Sequence, residues 1–119
     1  MGSWAGKRAL IVEDDLIIAM MLEYMLEGLG CNVVASTAKL DAALSAATNT
    51  DCDFAIVDLN LAGKSAVPIV EVLKTRAIPC IISTGADPSG LPFDLREFPF
   101  LSKPYVSDEL EAMLEQLFR

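Results

Sequence analysis

The chain has 119 residues, enough for one domain with a buried core and too few for a second. Nine basic and seventeen acidic residues give a formal net charge of -8, which argues against direct binding to a nucleic-acid phosphate backbone. No apolar run approaches the roughly 20 residues of a membrane span, and the absence of histidine excludes Ser-His-Asp catalysis and histidine metal sites.

Five apolar runs rich in β-branched residues predict strands. Residues 1–6, which include Gly2 and Ser3, are predicted to form an N-terminal tail, in part a cloning remnant, and the domain is expected to cover 7–119. The runs are continuously apolar instead of alternating, which predicts a sheet buried on both faces. The predicted strands cover 8–12, 32–36, 53–59, 79–84 and 99–102.

Helix-like stretches separate the predicted strands. In the first, Ile17, Met21, Tyr24, Met25 and Leu29 lie close to helical spacing and Gly30 follows as a stop signal. Ser107 is predicted to cap the last helix. Alternating strands and helices predict an α/β fold with a parallel sheet covered on both faces. The predicted helices cover 16–29, 38–47, 66–75 and 107–118.

The segment from 85 to 99 breaks this alternation where a further helix is due. It contains Asp87-Pro88, Ser89-Gly90 and Leu91-Pro92, and such pairs are typical of turns. We therefore expect a loop, or a short and irregular fourth helix around 86–98.

The three cysteines are far apart and include no C-x-x-C pair, so they indicate neither a disulfide framework nor a zinc site. Buried apolar thiols in a reducing cytoplasm are the expected arrangement. No secretory signal is evident at the start of the chain. The three cysteines are Cys31, Cys52 and Cys80.

Polar residues follow four of the predicted strands, at the edge where open α/β sheets bind their ligands. Converging carboxylates require a hard cation, for which Mg²⁺ is suited. A carboxylate can also attack phosphorus if Mg²⁺, a lysine and a hydroxyl offset the phosphoryl charge. The candidates are Glu13, Asp14 and Asp15 after the first strand, Asp58 at the third, Ser83 and Thr84 at the fourth, and Lys103 after the fifth.

Each pattern also has a purely structural interpretation. The acidic run 13–15 is typical of a helix start, where carboxylates favour the helix dipole. Thr84 could simply end a strand, and Lys103 could be an ordinary exposed lysine. Asp58 is harder to explain in this way, because a charge at the end of an apolar strand is costly to desolvate without a partner.

Four motifs, ALIVEDD, AIVDLNL, IISTGA and FLSKPY, together resemble those of a response-regulator receiver domain of two-component signalling, over residues 7–117. The resemblance implies a flavodoxin-like (βα)5 three-layer sandwich with strand order 2-1-3-4-5. It also assigns roles. Glu13, Asp14 and Asp58 would hold Mg²⁺ with the backbone carbonyl of Asn60, Asp58 would be phosphorylated, Thr84 would be the switch hydroxyl, Lys103 would pair with the phosphoryl group, and Phe100 would occupy the aromatic switch position.

The resemblance further implies a phosphohistidine donor on a sensor histidine kinase or a histidine phosphotransfer protein. The chain would catalyse its own phosphorylation and dephosphorylation and would not be a turnover enzyme. It would be a cytoplasmic protein. It would act on an unknown downstream protein, as a monomer or as a phosphorylation-dependent dimer. Leu61 and Ala62 replace the Met-Pro pair of many receivers, which predicts a less rigid loop. The DLNL motif and the Pro/Gly-rich region of the fourth helix also resemble those of single-domain bacterial regulators of alphaproteobacterial type.

Other functions stay open at this point. The chain could be an interaction module that works without phosphorylation, or an excised receiver of a larger kinase or regulator. Plain core packing is an equal interpretation of Phe100. An aspartate-nucleophile phosphatase would start with the same chemistry, but Asn60 stands where such enzymes usually carry a second aspartate.

Overall fold

The computed structural model describes residues 4–84, 98–103 and 105–118. The strands are β1 (Arg8–Val12), β2 (Asn32–Thr37), β3 (Phe54–Asp58), β4 (Asn60–Leu61), β5 (Lys64–Ser65), β6 (Cys80–Thr84) and β7 (Phe100–Ser102). The helices are α1 (Leu16–Gly28), α2 (Leu40–Asn49), α3 (Val67–Thr75) and α4 (Ser107–Leu117).

Five strands form one parallel sheet in the order β2-β1-β3-β6-β7. This is the predicted order 2-1-3-4-5, counted over the main sheet alone, because β4 and β5 pair separately as an antiparallel hairpin. The apolar runs predicted the main-sheet strands to within one residue at each end. The predicted α/β class and flavodoxin-like sheet are thus confirmed.

Both faces of the sheet are covered, as the continuous apolar strands predict. Every residue of β3 is buried. Leu10 and Val12 of β1 point to a cluster shared with α2 and α3, while Ala9 and Ile11 point to a second cluster shared with α1 and α4. The carboxyl ends of the parallel strands therefore lie between two layers of helices.

Helix α1 buries a different face from the one that the spacing singled out. Ile17 and Tyr24 are 71% and 82% exposed, whereas Ala19, Leu22 and Leu26 are buried against the sheet. The helix is apolar on both sides, so periodicity predicted the helix but not its buried face. An exposed apolar surface on α1 results.

The start of α4 corrects one prediction. Ser107 is the first residue of the helix, and Val106 occupies the capping position without a side-chain hydrogen bond. Asp108 and Glu109 lie in the first turn, where their charges favour the helix dipole. The helix begins where the sequence indicates. Its start is stabilised by the charges of Asp108 and Glu109, and not by the predicted hydrogen bond to a serine cap.

Trp4 packs into the core, a contact that the sequence analysis does not predict. Its side chain is 7% exposed, belongs to the cluster under α1 and α4, and donates a hydrogen bond from Nε1 to the carbonyl of Leu29 at 2.9 Å. The amide of Gly6 also donates to the carbonyl of Gly30 at 2.7 Å. These contacts fasten the residues before β1 to the end of α1.

The loop or short fourth helix expected around 86–98 lies outside the described residues, apart from Phe98. No helix in the described ranges is long and apolar enough to cross a membrane.

Candidate functional site

The acidic run after β1 divides between two tasks. Glu13 is 1% exposed and lies at the end of the buried strand. Asp15 caps α1, since its Oδ1 accepts hydrogen bonds from the amides of Ile17 at 2.9 Å and Ile18 at 3.2 Å. The helix-start interpretation therefore holds for Asp15, while Glu13 and Asp14 turn toward the strand edge.

Asp58 is the last residue of β3 and is 5% exposed. Its Oδ1 accepts a hydrogen bond from the amide of Asn60 at 3.0 Å, and its Oδ2 lies 2.7 Å from the ammonium nitrogen of Lys103. Both carboxylate oxygens are thus held in place. The partners that a desolvated carboxylate requires are present.

Lys103 follows β7 and contacts acidic residues at the carboxyl ends of both β1 and β3. Its Nζ lies 2.8 Å from Oε1 of Glu13 as well as 2.7 Å from Oδ2 of Asp58. Burial acts to lower the pKa of Lys103, but the hydrogen bonds to Asp58 and Glu13 outweigh it and raise that pKa above its usual value. The lysine therefore carries a firmly held positive charge between two buried carboxylates.

Asp14 connects the site to the hairpin of β4 and β5. Its Oδ2 accepts a hydrogen bond from the amide of Ala62 at 3.0 Å. Partial burial acts to raise the pKa of Asp14, but hydrogen bonding with Glu13 and with the Ala62 amide lowers it overall. Asp14 thus favours its charged form even beside other acids.

The hairpin itself is a feature that the sequence analysis did not predict. Asn60 pairs with Ser65 across two short strands, and the turn residues Ala62 and Gly63 have φ values of 52° and 87°. Positive φ at both turn residues is the geometry of tight hairpins. The side-chain oxygen of Asn60 accepts from the Gly63 amide at 2.8 Å, which closes the turn. The rigidity of this loop stays a prediction.

Glu13, Asp14 and Asp58 converge as the sequence predicted. One carboxylate oxygen from each lies within 4.8 Å of the others, and Glu13 and Asp58 are buried. Burial raises the pKa of Glu13 despite its contact with Lys103. Three carboxylates against one lysine leave excess negative charge on hard oxygen donors, which is the donor set that suits Mg²⁺.

The two predicted switch positions lie on neighbouring strands, Thr84 at the end of β6 and Phe100 at the start of β7. Thr84 ends β6 and pairs with Ser102 of β7, but its side chain lies outside the described part, so the hydroxyl role stays a prediction. Phe100 is half-buried and packs against the cluster under α2 and α3. That packing fits a core residue, and its switch role also stays a prediction.

Tyr105 and Ser83 form a buried polar contact at this site that the sequence analysis missed. The Tyr105 hydroxyl is hydrogen-bonded to Oγ of Ser83 and lies 3.3 Å from Oε1 of Glu13. Burial raises the pKa of Tyr105 to about 12, so it stays a neutral hydroxyl. Both residues stand in motifs that were noted, IISTGA and FLSKPY, but nothing in the sequence pairs them.

A parallel α/β sheet with an acidic cluster at two strand ends and a lysine after the last strand defines a receiver-type domain. A family model described as "Response regulator receiver domain" matches residues 9–115. The chain therefore belongs to the response regulator receiver domain family, which confirms the resemblance.

Individual relatives agree with this assignment. The chain is 33% identical over 111 residues to the phyllosphere-induced regulator PhyR of Methylorubrum extorquens, which covers 90% of this chain and 42% of PhyR. Among solved structures, SdrG of Sphingomonas melonis Fr1 matches with a TM-score of 0.84 and 34% identity over the whole of both chains. The anti-anti-sigma factor PhyR of Bartonella quintana matches with a TM-score of 0.80 and 30% identity, over 93% of this chain and 46% of that one. The chain thus spans less than half of each PhyR and all of SdrG.

Proposed function

We propose that this chain is a phosphoacceptor switch in which Asp58 takes a phosphoryl group from a phosphohistidine of a sensor kinase or a phosphotransfer protein. The observation that carries the proposal is the contact of 2.7 Å between Asp58 and Lys103 within a cluster of three carboxylates. A carboxylate held beside a cation is arranged to attack phosphorus, because the cation offsets the charge of the incoming group.

Mg²⁺ fits the donor set, and its proposed ligands are the carboxylates of Glu13, Asp14 and Asp58 with the backbone carbonyl of Asn60. When bound, the ion would offset the charge of the phosphoryl oxygens. The described amide contact of Asn60 with Asp58 keeps these two ligands adjacent in the same turn.

In the proposed reaction, an oxygen of Asp58 forms a bond to phosphorus while the bond from phosphorus to the donor imidazole breaks. The bonding electrons leave with the imidazole nitrogen. Lys103, already beside Asp58, then pairs with the phosphoryl oxygens, and the hydroxyl of Thr84 turns toward them. Water later attacks the phosphorus, the bond from phosphorus to the Asp58 oxygen breaks, and inorganic phosphate leaves with the carboxylate restored. The chain is thus the substrate of its own slow reaction and not a turnover enzyme.

These 119 residues contain no histidine, so the phosphohistidine donor lies outside them. The exposed apolar face of α1 supports docking next to Asp58, because Ile17, Met20 and Tyr24 are 68% to 82% exposed. A cavity of about 280 Å³ lies between Ile18 and Met21 of the same helix and Lys103 and Tyr105 of the site. A helical kinase or phosphotransfer partner of the cytoplasm is the proposed occupant.

The output is proposed to be a protein–protein contact that depends on phosphorylation, made by a monomer or a phosphorylation-dependent dimer. One similar protein, PhyR of Bartonella quintana, is named an anti-anti-sigma factor, which also describes action through a protein partner.

Incubation with Mg²⁺ and phosphoramidate tests the proposal directly. We expect the intact mass to rise by one phosphoryl group, and we expect chelator or Asp58→Asn to prevent the change. Asp53→Asn is the matched control, since Asp53 lies just before the other end of β3 and pairs with Arg8. An unmodified wild-type mass with this donor and with a kinase would refute the proposal. Partner binding that is identical in Asp58→Asn and in chelator would instead favour an interaction module that needs no phosphorylation.

A further inference from the structure

Tyr105 lies at a buried polar junction between β1, β6 and the segment that leads into α4. Its side chain is 7% exposed, and Ser83, its hydrogen-bond partner, is fully buried. The Tyr105 ring belongs to the apolar cluster under α1 and α4. The ring therefore packs like any core aromatic, whereas the hydroxyl reaches the acidic site.

The hydrogen bonds of Glu13 show what the hydroxyl contributes. Oε2 accepts from the amide of Asp15 at 3.1 Å, while Oε1 contacts both the Lys103 ammonium at 2.8 Å and the Tyr105 hydroxyl at 3.3 Å. A carboxylate has about two lone-pair sites on each oxygen. These contacts use both sites of Oε1 and one of Oε2, which leaves one site on Oε2 for a further ligand.

The direction of the hydroxyl contacts follows from the charge of Glu13. A tyrosine hydroxyl has one proton, and a bond donated to a carboxylate is charge-assisted and stronger than one between neutral groups. Tyr105 therefore donates to Glu13, and Ser83 donates to the oxygen of Tyr105. The chain of donors runs from β6 to the acidic site.

We propose that Tyr105 is a positioning residue for the metal site: its hydroxyl, oriented by Ser83, holds the Glu13 carboxylate so that one oxygen stays open to Mg²⁺. This inference rests on the proposed function, because it assumes that Glu13 is a metal ligand. Loss of a hydrogen bond that orients a metal ligand typically costs about 10- to 100-fold in metal affinity.

The same contact joins the metal site to the end of β6. Ser83 pairs with Asp58 in the register of β3 and β6 and directly precedes Thr84. Two hydroxyls therefore connect Glu13 to the strand that carries the proposed switch residue. Ser83 acts only through Tyr105 in this arrangement.

Mg²⁺ affinity measured by calorimetry tests the inference, with the amide signals of Asn60 and Ala62 followed by NMR as local probes of the site. Tyr105→Phe keeps the ring and is expected to weaken Mg²⁺ binding about tenfold. Ser83→Ala is expected to weaken it about threefold. The double variant is expected to lose about tenfold, the same as Tyr105→Phe alone, because both substitutions break one chain of donors.

Ser45→Ala is the control, since it removes the hydroxyl of an exposed residue on α2. We expect its Mg²⁺ affinity to equal that of the wild type. A Tyr105→Phe affinity within twofold of the wild type, or single effects that multiply in the double variant, would overturn the inference and leave the proposed function standing. A wild-type chain that binds no Mg²⁺ would overturn both.

Discussion

Replacing Lys103 with methionine would leave two buried carboxylates without their shared cation. The ammonium lies 2.8 Å from Glu13 and 2.7 Å from Asp58, and these two residues are 1% and 5% exposed. Methionine keeps much of the volume and flexibility of the side chain. The substitution therefore removes the charge while changing the packing little.

The expected loss follows from the spacing of the carboxylates. Their oxygens lie within 4.8 Å of one another, and at an effective dielectric constant of about 20 two such charges repel by about 3.5 kcal/mol. Removing one partner of a buried ion pair costs about 3–5 kcal/mol. Because the lysine side chain is 21% exposed, we expect a loss of about 3 kcal/mol in the free energy of unfolding, on the order of 10 °C in Tm.

Urea unfolding of both proteins, with chelator and with saturating Mg²⁺, measures this loss. A divalent cation can replace the missing charge, so Mg²⁺ should stabilise Lys103→Met more than it stabilises the wild type. Asp58→Asn added to Lys103→Met removes one of the repelling charges and should recover at least about 1 kcal/mol.

Lys74→Met is the control, because Lys74 is an exposed residue in the last turn of α3, and its effect should stay within about 0.5 kcal/mol. The reasoning fails if Lys103→Met is as stable as the wild type in chelator. It also fails if Mg²⁺ stabilises the two proteins equally.

Three further predictions concern the scaffold. Ala62→Gly should stabilise the chain by up to about 1 kcal/mol in urea unfolding, since a φ of 52° strains alanine and not glycine; a loss of stability would contradict this. Asp53→Asn should cost about 0.5 kcal/mol at pH 7, because hydrogen bonding to Arg8 lowers the pKa of Asp53. A carboxylate whose pKa is lowered by folding stabilises the folded state above its unfolded pKa of about 3.9, and this stabilisation is lost as the pH falls through the folded pKa. The difference in stability between the two proteins should therefore vanish in acid; a constant difference would refute the assignment. Leu22→Ala should cost about 3 kcal/mol, because Leu22 is fully buried between α1 and the sheet, and a cost below 1 kcal/mol would contradict the burial.

The strands were predictable because their signal is local. A strand buried on both faces must be apolar at each position, so β1 and β3 stand out as unbroken runs in the sequence. The helices were predictable to within about two residues from spacing and stop signals. Helix α1 shows the limit of this signal, because its two apolar faces offer the same spacing and only packing selects Leu22 and Leu26 for the core.

The acidic cluster was predictable for a geometric reason. Parallel strands bring their carboxyl ends to one edge, so Glu13, Asp14, Asp58 and Lys103 had to meet once the strand order was fixed. The hairpin after Asp58 was not predictable in the same way. Its turn requires positive φ at Ala62, a conformation that alanine disfavours and that the hydrogen bond of the Ala62 amide with Asp14 favours here.

The sequence by itself determined the alternation of strands and helices, and with it the edge at which Asp58 and its partners lie. Only the tertiary structure decided how those partners are held. The contact between Tyr105 and Glu13 spans 92 residues, and that between Lys103 and Asp58 spans 45. No local pattern encodes contacts between residues so far apart in the sequence, because these contacts depend on the packing of β1, β3, β6 and β7 into one sheet.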